Sequence, residues 1–209
     1  MLHIEKSIQE LNENLKKMTD LTEGMVKYIS DTIKQEDFSN LEAIFEKDRQ
    51  LDEFEKILDE QAIALLAQIN PMATDLRFVF SVIKLTVDLE RIGDECKNAA
   101  KELPRAELPL PEEIKRMAEH VVNMIQVAFD ALFTSDPKKA RKVILMDDEA
   151  DSLEYNIIKD YPQSMGLAFA AKALERIADH TTNIAENIVY VNEGIDIRHE
   201  NTIHKRLKK

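Results

Sequence analysis

The chain has 209 residues with four Gly, six Pro, no Trp and one Cys, and its formal net charge is −12. This length is enough for a sizeable core, and the single Cys excludes an internal disulfide framework. The acidic balance argues against nucleic acid and anionic lipid as partners. Because helix breakers and runs of β-branched residues are scarce, we predict an all-α fold.

Breakers divide the chain into six predicted helices. They cover residues 3–34, 38–69, 72–103, 111–134, 137–160 and 163–193. The only Pro-rich linker, with Pro104, Pro109 and Pro111, lies near the middle, and Asp136 precedes Pro137 as a cap precedes a first-turn proline. Two sets of three helices predict two pseudo-symmetric three-helix bundles, an internal duplication of residues 1–105 and 106–209.

The third and sixth helices carry the same short motif. Residues 88–94 and 173–179 each contain Leu-Glu-Arg-Ile, a small residue and Asp, and an Asn follows four residues later, at Asn98 and Asn183. Positions i, i+4 and i+8 drift slowly around a helix, so the Glu, Asp and Asn are predicted to point the same way. Acids at i,i+4 repel, so their duplication indicates that something positive offsets them.

Acids also interrupt apolar heptad lines. The line of the second helix is predicted to face the core and runs through Leu41, Ile44, Asp48, Leu51, Glu55, Leu58, Ala62, Leu65 and Ile69. The fifth helix repeats it with Ala140, Val143, Asp147, Ala150, Glu154 and Ile157. In the third helix a similar line leads into the motif through Leu76, Phe80, Ile83 and Val87.

The acids are predicted to meet across each helix hairpin. Asp52 lies eighteen residues before Asn70 and Glu90 nineteen after Pro71, while Asp151 lies eleven before Pro162 and Glu175 thirteen after it. In an antiparallel hairpin such pairs are nearly level. Each half is therefore predicted to hold a cluster of four acids, and these eight residues are the candidate metal ligands. The first-half cluster comprises Asp48, Asp52, Glu90 and Asp94. The second-half cluster comprises Asp147, Asp151, Glu175 and Asp179.

Clustered carboxylates need raised pKa values, basic partners or a metal ion. Oxygen ligands favour hard cations such as Mg²⁺, Mn²⁺, Ca²⁺ or iron, and His180 is a further candidate ligand. The alternative is a solvated acidic face between two bundles. Cys96, on an apolar helix line, is interpreted as a packed thiol. The basic run 205–209 is interpreted as a solubilising tail.

The sequence motifs give weaker support to two classes of enzyme. Carboxylate-bridged di-iron bundles use Glu-x-x-His, which no predicted core helix contains. Residues 147–151 match the Asp-Asp-x-x-Asp pattern of helical prenyl-diphosphate enzymes, but only once. No Gly-rich phosphate loop or Cys/His nucleophilic pair is recognisable, so the sequence favours a non-enzymatic protein.

At these motifs the chain resembles the PhoU family of phosphate transport system accessory proteins over essentially its whole length. The resemblance rests on segments 89–94, 174–180 and 183–186, on 74–77 after the first hairpin turn, and on the closing segment 194–199. It differs in Glu95, where the family often has His, and in segment 169–172, which lacks an Arg-containing polar stretch.

The resemblance implies dimers of paired three-helix bundles whose acidic motifs bind metal, including multinuclear iron or zinc in some members. It also implies a regulator that restrains the phosphate ABC transporter, through its ATPase subunit, and a sensor histidine kinase. Since we find no signal peptide and no membrane span, we expect a cytoplasmic protein that meets the membrane only through its partners. The metal stays open among iron, zinc, manganese and magnesium, and the alternative function is metal storage.

Overall fold

The computed structural model describes residues 2–68, 73–107 and 109–197, and these form six α-helices without a strand. The helices are α1 (Leu2–Gln35), α2 (Glu42–Gln68), α3 (Ala73–Glu102), α4 (Glu112–Thr134), α5 (Pro137–Asp160) and α6 (Met165–Glu193). A short 3₁₀ helix, Leu103–Arg105, follows α3 within the Pro-rich linker. The all-α prediction is confirmed.

Local signals explain where the helices begin and end. The Asp136 side chain accepts hydrogen bonds from the backbone N–H groups of Lys138 and Lys139, and Pro137 occupies the first turn, as predicted. At the end of α6, Gly194 adopts a φ of 72°, a left-handed conformation that glycine takes without strain. The predicted break at Asn70–Pro71 lies outside the described residues.

The start of α2 differs from the prediction by four residues. We predicted a helix from residue 38, but α2 begins at Glu42. The carboxylate of Asp37 accepts a hydrogen bond from the backbone N–H of Ser39 at 3.0 Å, which holds this segment in a turn. A polar side chain that bonds its own backbone thus delays the helix.

The helices pack as two bundles that lie against each other. Helices α1, α2 and α3 contact one another, as do α4, α5 and α6, and the bundles meet where α3 packs along α6 and α1 along α4. The apolar lines predicted for α2 and α5 are buried in this core, apart from Ile69, which lies outside the described residues. The division at residues 105 and 106 stays a prediction.

The predicted core line of α3 is wrong except at Ile83, which packs partly buried against the core. Leu76, Phe80 and Val87 are 45%, 49% and 47% exposed. The neighbouring stripe of the same helix, which includes Val79 and Leu89, is buried instead. The motif acids of α3 therefore continue a surface line, which gives them access to solvent.

Two further features bear on the site. Cys96 is completely buried, as predicted, and burial raises the pKa of its thiol. Gly166 lies so close to the linker backbone that a Cβ atom would come within 2.6 Å of the Arg105 carbonyl carbon. Among the helices of the described residues, none combines the length and apolarity that crossing a membrane requires.

Candidate metal centre

Three predicted ligands of the second half lie within metal-ligand reach of one another. Asp151 on α5 and Glu175 and Asp179 on α6 each place one carboxylate oxygen within 4.8 Å of the other two. The meeting of acids across the α5–α6 hairpin is therefore confirmed. An all-oxygen donor set at this separation fits a hard cation.

The fourth predicted ligand, Asp147, lies deeper. Burial, and next the nearby Asp179 and Asp151, raise the pKa of Asp147 to about 7. Its Oδ1 atom is buried without a hydrogen-bond partner, and the nearby Thr182 hydroxyl opposes only part of this rise in the pKa. Burial and the carboxylate of Glu175 likewise raise the pKa of Asp179. Negative charge is thus concentrated at this level of the bundle.

One lysine contacts this cluster at its edge. The Lys172 ammonium lies 2.7 Å from Glu175 and 3.8 Å from Glu154, and its side chain is 44% exposed. This pair neutralises part of the charge, and the Lys172 charge also opposes the rise in the pKa of Asp179. The three oxygens remain grouped beside it.

The first half has a different arrangement. The ammonium of Lys97 lies 2.7 Å from Asp48 Oδ2 on α2 and 2.7 Å from Asp94 Oδ1 on its own helix. It thus joins two predicted ligands across the α2–α3 hairpin. Among the described residues, no three acids of this half meet the distance that the second-half group meets.

In the first half too, burial and neighbouring carboxylates raise the pKa values of Glu90 and Asp48. Burial, and next the adjacent Asp94 carboxylate, raise the pKa of Glu90 to about 7. Burial is also the main cause that raises the pKa of Asp48, and Lys97 opposes it. Asp52, the fourth predicted ligand, lies near enough to add repulsion to Asp48 and Glu55.

Several polar residues near the motifs link the two bundles. His180 Nδ1 lies 3.0 Å from Asp88 Oδ1, and Asn183 donates to the same oxygen at 3.2 Å. Arg176 donates to Glu95 at 3.1 Å. Neither repeated Asn donates to the acids of its own motif: Asn98 donates to Glu95, and Asn183 donates to Asp88 on the other helix. These residues therefore fix α3 against α6.

Sequence reasoning missed Lys97 and Thr182. Both stand three residues after the motif Asp, a spacing at which helical side chains are neighbours. This spacing could have identified both residues as neighbours of the motif Asp. The metal assignment itself, for all eight predicted ligands, stays a prediction.

Comparison with known proteins places the chain in a family. The family model of the PhoU domain matches residues 15–103 and 114–188. A phosphate-specific transport system accessory protein PhoU homolog of Clostridium acetobutylicum is 31% identical, across 91% of this chain and 94% of its own. A homolog of the same description from Pseudomonas putida is 30% identical, across 92% of this chain and 81% of its own.

Solved structures share the fold. The crystal structure of PhoU from Pseudomonas aeruginosa superposes with a TM-score of 0.84 at 28% identity, covering 91% of this chain and 99% of that one. The phosphate transport system regulatory protein PhoU from Streptococcus pneumoniae also gives 0.84, at 24% identity and with 93% and 99% coverage. Because the matched segments span most of the chain and both bundles, this protein belongs to the PhoU family.

Proposed function

We propose that this protein regulates phosphate transport as a metal-binding accessory factor. The observation that carries the proposal is family membership over both bundles, together with relatives named as phosphate-specific transport system accessory proteins. In this proposal the chain acts in the cytoplasm by contact and not by catalysis. Its partners are the ATPase subunit of the phosphate ABC transporter and a phosphate-responsive sensor histidine kinase, and it restrains both when phosphate is plentiful.

The three second-half carboxylates support the metal part of the proposal. Asp151, Glu175 and Asp179 would hold the ion, which would add its positive charge to that of Lys172 beside them. The buried, unpartnered Oδ1 of Asp147 is a further carboxylate oxygen, deeper than these three and outside their 4.8 Å group. Iron, zinc, manganese and magnesium are the candidate ions. Because only the folded chain assembles these oxygens, bound metal would raise the melting temperature.

Contact with partners has support from the surface. Asp151 and Asp179 are exposed, so an ion held there would lie at the protein surface. Exposed apolar side chains on α5 and α6, such as Tyr155, Met165 and Phe169, are available as anchors for a partner. Apolar anchors supply affinity and complementary charge supplies specificity.

A deletion strain tests the regulatory role. We expect loss of this protein to derepress phosphate-starvation genes in phosphate-rich medium, and the purified protein to bind the ATPase subunit or the kinase. The double variant Asp151→Asn with Asp179→Asn should fail to restore repression. Glu53→Gln with Glu60→Gln, which removes the same charge from an exposed face of α2, is the matched control.

The alternative is a metal-storage protein, which the same three carboxylates would also serve. Normal repression in the deletion strain, with metal bound but neither partner captured, would replace the regulator with the storage protein. Light scattering on the purified chain measures the homodimer that we propose for the active form.

A further inference from the structure

We propose that Lys97 takes the place of a metal ion in the first half, so that this chain binds metal in its second half only. The proposal rests on the second-half metal site of the proposed function. It replaces the expectation of one metal site in each half. The two motifs are then not equivalent: one is stabilised by a covalently attached cation and the other by a diffusible one.

The geometry around Lys97 is that of a cation bridging two ligands. Its ammonium lies 2.7 Å from a carboxylate oxygen on each of two helices. The Asp48 side chain is only 8% exposed and that of Lys97 22%, so the contact is largely shielded from water. Such shielding strengthens the attraction, and an ammonium donates up to three hydrogen bonds at this distance.

A neighbouring glycine makes the close approach possible. A Cβ atom at Gly93 would lie 2.4 Å from Leu51 Cδ2 and 3.4 Å from Asp48 Oδ1. Side chains of α2 therefore pack directly against the α3 backbone at the level where Lys97 spans the two helices. In the second half the matching motif position is Ala178, which carries a Cβ atom.

The second half has no lysine at the matching position. Aligning the two motifs places Thr182 where the first half has Lys97. Thr182 is neutral, and its buried hydroxyl has no hydrogen-bond partner. The three grouped oxygens of Asp151, Glu175 and Asp179 occur in this half.

Lys172 does not perform the same role. It precedes Glu175 by one helical turn, and it pairs with Glu175 and Glu154 instead of bridging the motif Asp to α5. At 44% exposure it keeps much of its contact with solvent and can turn away when an ion arrives. Lys97 would instead have to leave Asp48 for an ion to bind there, and it would then remain beside a second positive charge.

Metal counting on matched variants tests the proposal. The full chain is purified without a metal-affinity tag, stripped with chelator, equilibrated with Mn²⁺ and analysed for bound manganese. We expect Asp151→Asn with Asp179→Asn to lose all bound Mn²⁺. Adding Lys97→Thr to that double variant should restore binding at Asp48 and Asp94. The control is Lys101→Thr, a change of the same kind one turn further along α3, which should restore none.

If the Lys97→Thr protein folds poorly, the opposite substitution in the second half provides a second measurement. We expect Thr182→Lys in the otherwise unchanged protein to weaken Mn²⁺ binding about ten- to a hundredfold, the scale on which neighbours of metal ligands act. Asp48→Asn with Asp94→Asn, in contrast, should leave the amount of bound Mn²⁺ unchanged.

Two results would overturn the proposal. One is Mn²⁺ that remains on the Asp151→Asn, Asp179→Asn protein and is lost when Asp48 and Asp94 are also changed. The other is full binding by Thr182→Lys. Failure of the underlying second-half site gives a different result, because the unchanged protein would then bind no Mn²⁺ while Lys97→Thr alone would gain it.

Discussion

Buried carboxylates without counter-charge weaken the metal-free fold, and Asp147 shows this at the scale of one residue. Its pKa of about 7 exceeds the usual value of about 3.9. The folded protein thus holds this proton more tightly than the unfolded chain, so stability falls as pH rises from about 4 to about 7. Below that window the penalty is absent, and above it the penalty is complete.

We therefore expect Asp147→Asn to stabilise the metal-free protein above pH 7 and to have little effect near pH 4. One pKa unit corresponds to about 1.4 kcal/mol, and solvent around this partly exposed residue reduces the effect, so we expect a gain of ~1–2 kcal/mol. Denaturant unfolding in chelator at pH 4 and pH 8 measures it. Loss of stability at pH 8 would instead mean that Asp147 makes an essential structural bond.

Gly93 gives a second residue-scale prediction. A Cβ atom there would overlap the buried Leu51 side chain, so Gly93→Ala should destabilise the protein by ~1–2 kcal/mol, since overpacking outweighs the better helix propensity of Ala. Gly24 lies in α1, where a Cβ atom would have no neighbour within 4 Å. Gly24→Ala is the matched control and should stabilise by ~0.5–1 kcal/mol. Equal effects of the two changes would contradict close helix approach at Gly93.

At the scale of the helix, two N-caps differ in their hydrogen bonds. Asp136 accepts two backbone hydrogen bonds at the start of α5, whereas Ser164 at the start of α6 makes no side-chain cap bond and its buried hydroxyl lacks a partner. Asp136→Ala should cost ~0.5–2 kcal/mol. Ser164→Ala should be neutral or slightly stabilising, because no bond is lost. Thermal unfolding of both variants provides the comparison.

The helices also show what a sequence reveals and what it leaves open. Asp136 and Pro137 indicated the start of α5 because capping is local chemistry. The core stripe of α3 was missed because two adjacent stripes are both apolar, and the packing of other helices decides between Phe80 and Val79. The positions at which the acids face each other could be predicted by counting residues on both sides of each hairpin turn. The Lys97 contact depended on how the side chains of α2 pack against α3 beside Gly93, which a periodic pattern does not show.

At the scale of the whole molecule, the two bundles share an interface in which polar groups of one bundle have their partners on the other. Glu95 and Asp88 on α3 have Arg176 and His180 on α6 as partners, and the two helices pack along each other. We expect residues 1–105, expressed alone, to lack a cooperative thermal transition, because the α3 surface that faces α6 becomes exposed. Circular dichroism with temperature measures this. A sharp transition in the fragment would show that each repeat is an independent domain.

The buried thiol of Cys96 has a practical consequence for optical experiments. Alkylating dyes react with thiolates, and both burial and a raised pKa keep this one cysteine unreactive in the folded protein. Cysteines introduced at the exposed positions of Ile63 on α2 and Asn156 on α5 can therefore carry a donor and an acceptor dye without prior removal of Cys96. Energy transfer between them would report, in real time, whether the two hairpins change their separation when Mn²⁺ or a partner protein is added.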